Sequence, residues 1–225
     1  LGFTDQPSNT GIFKALHRLE ADGIIPLDQI SRHPSQVVDR IWQHAAPFCS
    51  GEKLIFAILG GTGLEDNYYL GNAFPVEMHL VEQARRRFQV QGVDVQYLYL
   101  PHPANRPLAQ LRFADGQDIE ISEQSQISYF FADYALSLYS SAIFEAATFG
   151  VRAFAPLPEN MGSFHPDMIR QLCIPNQLTS AGLIKALDTF CANATQDNID
   201  HRAKITRRIN IALSGAVSPL EGDGI

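Results

Sequence analysis

Cysteine is scarce in this chain. Cys49, Cys173 and Cys191 stand far apart and form no CxxC pair. That pattern offers no zinc-type ligand set and leads us to expect reduced, structural thiols in a cytoplasmic protein. Long apolar runs are also missing: nothing approaches the roughly 20 residues of a membrane helix, so no membrane span is expected. No charged, apolar, small-residue signal segment opens the sequence. It begins instead on "LGFTDQPSNTG" without Met, which fits a fragment or trimmed chain.

Positive charge is in deficit. Asp and Glu number 24 against 17 Lys and Arg, for a formal net charge of -7. Nucleic-acid binding needs a broad basic field, so no nucleic-acid partner is expected. The basic residues that exist cluster at Arg85, Arg86 and Arg87 and at Arg202, Lys204, Arg207 and Arg208. Both clusters read as solvated helix faces, with contact to an acidic polymer or peripheral contact to an acidic membrane surface, such as an inner membrane, as the alternative. Fingerprints are lacking as well. There is no GxGxxG, no P-loop lysine, no Asp-x-Asp and no His/Cys cluster, so neither NAD, ATP nor a metal is indicated.

What is present is an ordinary globular composition over 225 residues, 45% hydrophobic and 18% charged, enough to build a sizeable core. Residues 9–23, "NTGIFKALHRLEADG", and 33–46, "HPSQVVDRIWQHAA", carry apolar positions at helical spacing. Pro34 suits a first helical position. From Lys53 the pattern changes. "KLIFAIL" (Lys53 to Leu59) reads as a strand covered on both faces. "PVEMHLVEQARRRFQVQG" follows as a helix closed by Gly92, then the strand "VDVQYLYL" and a short strand "DIEI". "YALSLY" (Tyr134 to Tyr139) reads as a strand, "SAIFEAATFG" as a helix closed by Gly150, "VRAFAP" as a strand, and "TSAGLIKALDTFCANA" as a helix. A long amphipathic helix from about Thr195 closes the pattern before a loose tail.

Alternating strands and helices imply an α/β fold with a mainly parallel, doubly wound, Rossmann-like sheet. The domain plan this suggests is a helical lead-in or remnant of a preceding domain over 1–52. A nucleotide-binding domain over 53–193 and a C-terminal helix and tail over 194–225 follow.

Ligands of such sheets bind beyond the carboxyl ends of the strands. Three loops should meet there: Gly60-Gly61-Thr62-Gly63, Pro101-His102-Pro103-Ala104-Asn105-Arg106, and Tyr139-Ser140-Ser141. Gly61 lets a backbone approach a phosphate or sugar closely, and Thr62 adds a hydroxyl; a plain strand-to-helix turn is the competing reading. Ser140 and Ser141 precede a helix. They read either as N-caps or as anion donors, and neither starts a capping box, since Ile143 and Phe144 stand three residues on. His-Pro occurs three times, at His33, His102 and His165, and is not specific by itself. Only His102 directly follows a strand and has an arginine, Arg106, four residues on. Histidine can donate to a phosphate and protonate a leaving group, and Arg106 can add a charge-assisted clamp.

An HP motif after a strand, followed about 38 residues later by an SS motif at a strand-to-helix junction, resembles the carboxyl-terminal half of GT-B glycosyltransferases. The similarity is closest to the bacterial sialyltransferase and polysialyltransferase group, and it covers roughly Lys53 to Phe190. The resemblance implies a metal-independent transferase that takes a CMP-activated sugar as substrate, with no cofactor. It implies that His102 lies by the donor phosphate, that Ser140 and Ser141 bind the same phosphate, and that a glutamate between the motifs binds the CMP ribose or base. Glu123 is the candidate for that glutamate, with Glu120 second and Glu145 a weaker option. It also implies a glycan acceptor and an amino-terminal GT-B domain that supplies the general base. Fewer than sixty residues precede the first strand of the nucleotide domain. The chain is then a fragment, works with a half encoded elsewhere, or binds without catalysis. A Kdo- or glycerophosphate-type CMP/CDP transferase is the neighbouring alternative, and a non-catalytic nucleotide-binding or interaction module is the alternative of another class.

Overall fold

A computed structural model describes residues 20, 21, 23, 33–49, 51–61, 73–102, 110–122, 125–138, 140–156, 166–172, 174–175, 179–195 and 199–214. The expected helix at 9–23 lies outside them except for Glu20, Ala21 and Gly23, and so does Cys173.

The two most apolar runs form the middle of a sheet. β1 (Leu54–Leu59) is buried along its whole length and β2 (Val95–Leu100) nearly so. They pair in parallel from Leu54 opposite Val95 to Leu59 opposite Leu100. On the far side of β1 lies β5 (Tyr134–Leu136), followed by β6 (Arg152–Phe154), both parallel. On the far side of β2 lies β4 (Asp118–Ile121), parallel, and then β3 (Leu111–Arg112), antiparallel at the edge. The order is β3-β4-β2-β1-β5-β6. The chain therefore winds one way from β1, then returns to wind the other way, and the reversal falls between β1 and β5. This is an α/β, mostly parallel, Rossmann-like sheet, as the alternation of elements predicts.

Alternate residues of β1 feed two cores. Ile55, Ala57 and Leu59 face a layer made by α1 (Pro34–Ala45), α3 (Ser125–Phe131), α4 (Ala142–Thr148) and α7 (His201–Ser214), to which α5 (Pro166–Gln171) adds Ile169. Leu54, Phe56 and Ile58 face α2 (Ala73–Val90) and α6 (Ser180–Cys191). In this second core Phe56 meets Phe88, Tyr134 and Phe190 at centroid distances of 6.1, 6.1 and 5.9 Å. Each such ring contributes about 1.5–3 kcal/mol by leaving water. α1 and α7 thus belong to the same core layer as the sheet they cover.

Helix ends follow their sequence signals. Gly92 (φ 70°) and Gly150 (φ 77°) adopt the left-handed conformation that closes α2 and α4. At Gly150 the amides of Gly150 and Val151 bond back to Ala147 and Ala146, the Schellman pattern. Thr179 caps α6, its hydroxyl accepting from Gly182 N–H at 3.1 Å.

Three features depart from expectation. β5 stops at Leu136 rather than Tyr139, because side chains take over its hydrogen bonding, as described below. α3 forms from "SQISYFF", where no helix was read; its Ile127, Tyr129, Phe130 and Phe131 are buried in the first core. The basic clusters are solvated faces only in part: Arg86, Arg202 and Arg207 are exposed. Arg85 is buried, pairs with Glu82 and Asp115 and stacks on the Phe113 ring. Arg86 pairs with Glu82, Arg87 with Asp188 and Arg202 with Asp39. Lys204 and Arg208 turn inward, to Asp133 and to the Tyr129 carbonyl. Among the described residues no helix is long and apolar enough to cross a membrane.

Candidate functional site

The carboxyl ends of β1, β2 and β5 converge where the winding reverses. Gly60 N–H donates to Leu100 O at 3.0 Å, tying the ends of β1 and β2 together just before Gly61 and His102. Ser122 N–H donates to Tyr99 O at 3.0 Å, which draws the end of β4 to the same edge. Gly60 must be glycine here for a steric reason: a Cβ would meet Tyr99 Oη at 2.6 Å. The Tyr99 ring is fully buried against Phe74, and its hydroxyl has no hydrogen-bond partner among the described residues.

On the other side of β1, the chain turns after Leu136. Ser137 is completely buried. Its hydroxyl donates to Leu59 O at 2.6 Å and accepts from Ser140 N–H at 3.0 Å. Leu138 N–H donates to Glu77 Oε1 at 2.8 Å. These side-chain bonds replace strand pairing and end β5 early. They also fix Ser140, whose hydroxyl makes a long 3.4 Å contact with Ala142 N–H at the start of α4. Ser141 is exposed, and its side chain makes no cap hydrogen bond.

Of the residues the sequence nominates, Gly61, His102, Ser140 and Ser141 therefore lie on one edge. Gly61 and His102 are half-buried and Ser140 is buried. Thr62, Arg106 and Glu123 lie outside the described residues. Glu120 is engaged within the sheet: it pairs in register with Leu98, and its carboxylate accepts from Gln96 Nε2 at 2.7 Å. Glu145 is buried one turn into α4. Among the described residues no cluster of three His, Cys, Asp or Glu side chains is placed to hold a metal.

Glu77 is the residue that reading the loops misses. It is 4% exposed, and burial pushes its carboxyl up to about 8, against weaker opposing influences from the Leu138 amide and the Ser137 side chain. One sequence signal does point to it. Glu77, Val81, Ala84 and Phe88 lie four, three and four residues apart on one stripe of α2, and the last three are core. The two described thiols behave as inert core groups: burial raises Cys49 and Cys191 to about 12.

No family model matches the chain, and comparison with curated proteins and with solved structures returns no match.

Proposed function

We propose that this chain is the donor-binding domain of a glycosyltransferase that moves a sialic-acid-like sugar from a CMP-activated donor to a glycan or surface polysaccharide. One observation carries the reading. Gly61, His102, Ser140 and Ser141 share the carboxyl edge at the point where the winding reverses between β1 and β5. Doubly wound sheets bind nucleotides at such a point.

The chemistry suits those residue types. When a CMP-activated sugar reacts, the bond from the anomeric carbon to the phosphate oxygen breaks. The sugar becomes cation-like, and CMP departs with added negative charge on its phosphate. An imidazole at His102 donates a hydrogen bond or a proton to that phosphate. The hydroxyls of Ser140 and Ser141 donate to its other oxygens. Donors aimed at developing charge contribute on the order of 10²–10³ in rate each. The acceptor site and general base belong, in this reading, to the other GT-B half.

The test is calorimetry of the chain with CMP, UDP and GDP. Selective CMP binding is expected, weakened about tenfold or more in His102→Ala and in the Ser140→Ala/Ser141→Ala double variant, each removing roughly 1.4 kcal/mol or more of charge-assisted bonding. Equal binding of all three nucleotides, or of none, sinks the assignment. Absence of nucleotide binding would leave an interaction module as the remaining reading.

A further inference from the structure

The hydrogens around Ser137 can be counted. Its hydroxyl has one hydrogen and two lone pairs. Leu59 O lies 2.6 Å away and has no hydrogen to offer, so the Ser137 hydrogen points there. Ser140 N–H takes one lone pair at 3.0 Å. The Glu77 carboxyl joins this group through the Leu138 amide, which donates to its Oε1 at 2.8 Å, and it is 4% exposed. An ionised Glu77 would be a buried charge with no cation paired to it among the described residues. A protonated Glu77 still accepts from Leu138 N–H and carries no charge that calls for water.

We propose that Glu77 is the positioning residue of this edge: held as a neutral carboxylic acid, it fixes the turn that presents Ser140 and keeps negative charge away from an anionic ligand. That ligand is a nucleotide phosphate, which rests on the function proposed above. The surroundings agree. From β2 the Tyr99 phenol faces Glu77 and is itself pushed upward by burial and by Glu77. The end of β1 contributes the Leu59 carbonyl, and the turn after β5 contributes Ser137 and the Leu138 amide. Among the described residues, no cation adds to the influences on Glu77. An unpaired charge in a buried site is costly, so the carboxyl stays neutral. When pH rises through its ionisation, the buried charge draws water into the turn, which loosens the Leu138 and Ser140 bonds, and a negative charge appears beside the phosphate site. Anion binding should fall with it.

The experiment uses the whole chain and NMR. The Glu77 carboxyl carbon is titrated, amide exchange is followed at Leu138 and Ser140, and CMP affinity is measured below and above the value of about 8. We expect a neutral carboxyl at neutral pH, and protection of both amides that drops about tenfold as the acid ionises. CMP affinity should fall about tenfold over the same step. Glu77→Gln keeps one donor and one acceptor, so it should preserve protection and remove the pH step, whereas Glu77→Ala should lose protection at every pH. A carboxyl that titrates in the ordinary carboxylate range overturns the proposal, and so does a Gln variant that behaves like Ala. If the carboxyl and amides behave as stated but CMP binds at no pH, the clamp is upheld and the nucleotide assignment is what fails.

Discussion

The two ends of this sheet handle buried charge in opposite ways. At the amino end, Asp133 precedes β5. Its Oδ2 accepts from Ile55 N–H at 2.9 Å, and its Oδ1 lies 2.5 Å from Lys204 Nζ. Lys204 also donates to Phe131 O at 3.1 Å, and buried Arg208 donates to Tyr129 O at 2.8 Å. Burial lowers Arg208 to about 10 and lowers Lys204, while Asp133 opposes both shifts. There the last helix is locked to the sheet by a paired acid and base. At the carboxyl end, Glu77 has no such cation among the described residues and accepts from the Leu138 amide. Opposite charges can share a buried site only when their geometry satisfies both. Under the proposed function this end receives an anionic ligand, which calls for donors with no fixed negative charge beside them, and a neutral acid meets that need.

The largest break in this contrast should come from the amino end. Asp133→Ala leaves Lys204 buried without its partner and the Ile55 amide without its acceptor. We expect a loss of about 3–5 kcal/mol in urea unfolding. Next comes Glu77, through its pH dependence. Its carboxyl is raised from 4.5 to about 8 on folding, so between those values the folded state holds more protons than the unfolded one. Stability must then fall as pH rises through that window, with a slope approaching about 1.4 kcal/mol per pH unit from this group. Glu77→Gln removes the slope, so its advantage over the natural chain should grow from pH 4.5 to 8 in chemical denaturation.

A smaller loss is expected at the close approach of β1 and β2. Gly60→Ala forces a methyl against Tyr99 Oη and should cost about 1–3 kcal/mol, while Tyr99→Phe in the same chain should recover part of it in thermal melts. The smallest effect belongs to His201 at the amino end. Burial, assisted by Lys204, lowers this imidazole below its ordinary 6.5. The unfolded state therefore takes up the proton first, and stability is lost as pH falls below 6.5. His201→Phe should flatten that acid limb, read from the melting temperature.

Much of the frame was legible because local pattern and burial agree. The runs in β1 and β2 are apolar at nearly every position, as strands covered on both faces must be. Gly92 and Gly150 mark helix ends that only a left-handed residue closes well. α3 was hidden because "SQISYFF" favours a strand by its aromatic and β-branched residues, and its helix is fixed by burial against α1 and α7. The early end of β5 was hidden because "YALSLY" stays apolar where a serine side chain replaces strand pairing. The carboxyl-edge loops could be named from strand order alone, which places Gly61, His102, Ser140 and Ser141. Glu77 could not, since a glutamate on a helix reads as solvated. What buries it is a turn 61 residues later in the chain. The basic clusters turn inward in part for the same reason: the partners of Arg85, Arg87 and Lys204, which are Asp115, Asp188 and Asp133, are distant in sequence.

The central claim is that the carboxyl end is the binding end. Amide chemical shifts mapped during a CMP titration of the whole chain test it most directly. The account predicts saturable shifts at Gly60, Gly61, His102, Leu138 and Ser140, with Ile55, Asp133 and Lys204 unmoved. Shifts centred on the amino end, or none at saturating CMP, would contradict it.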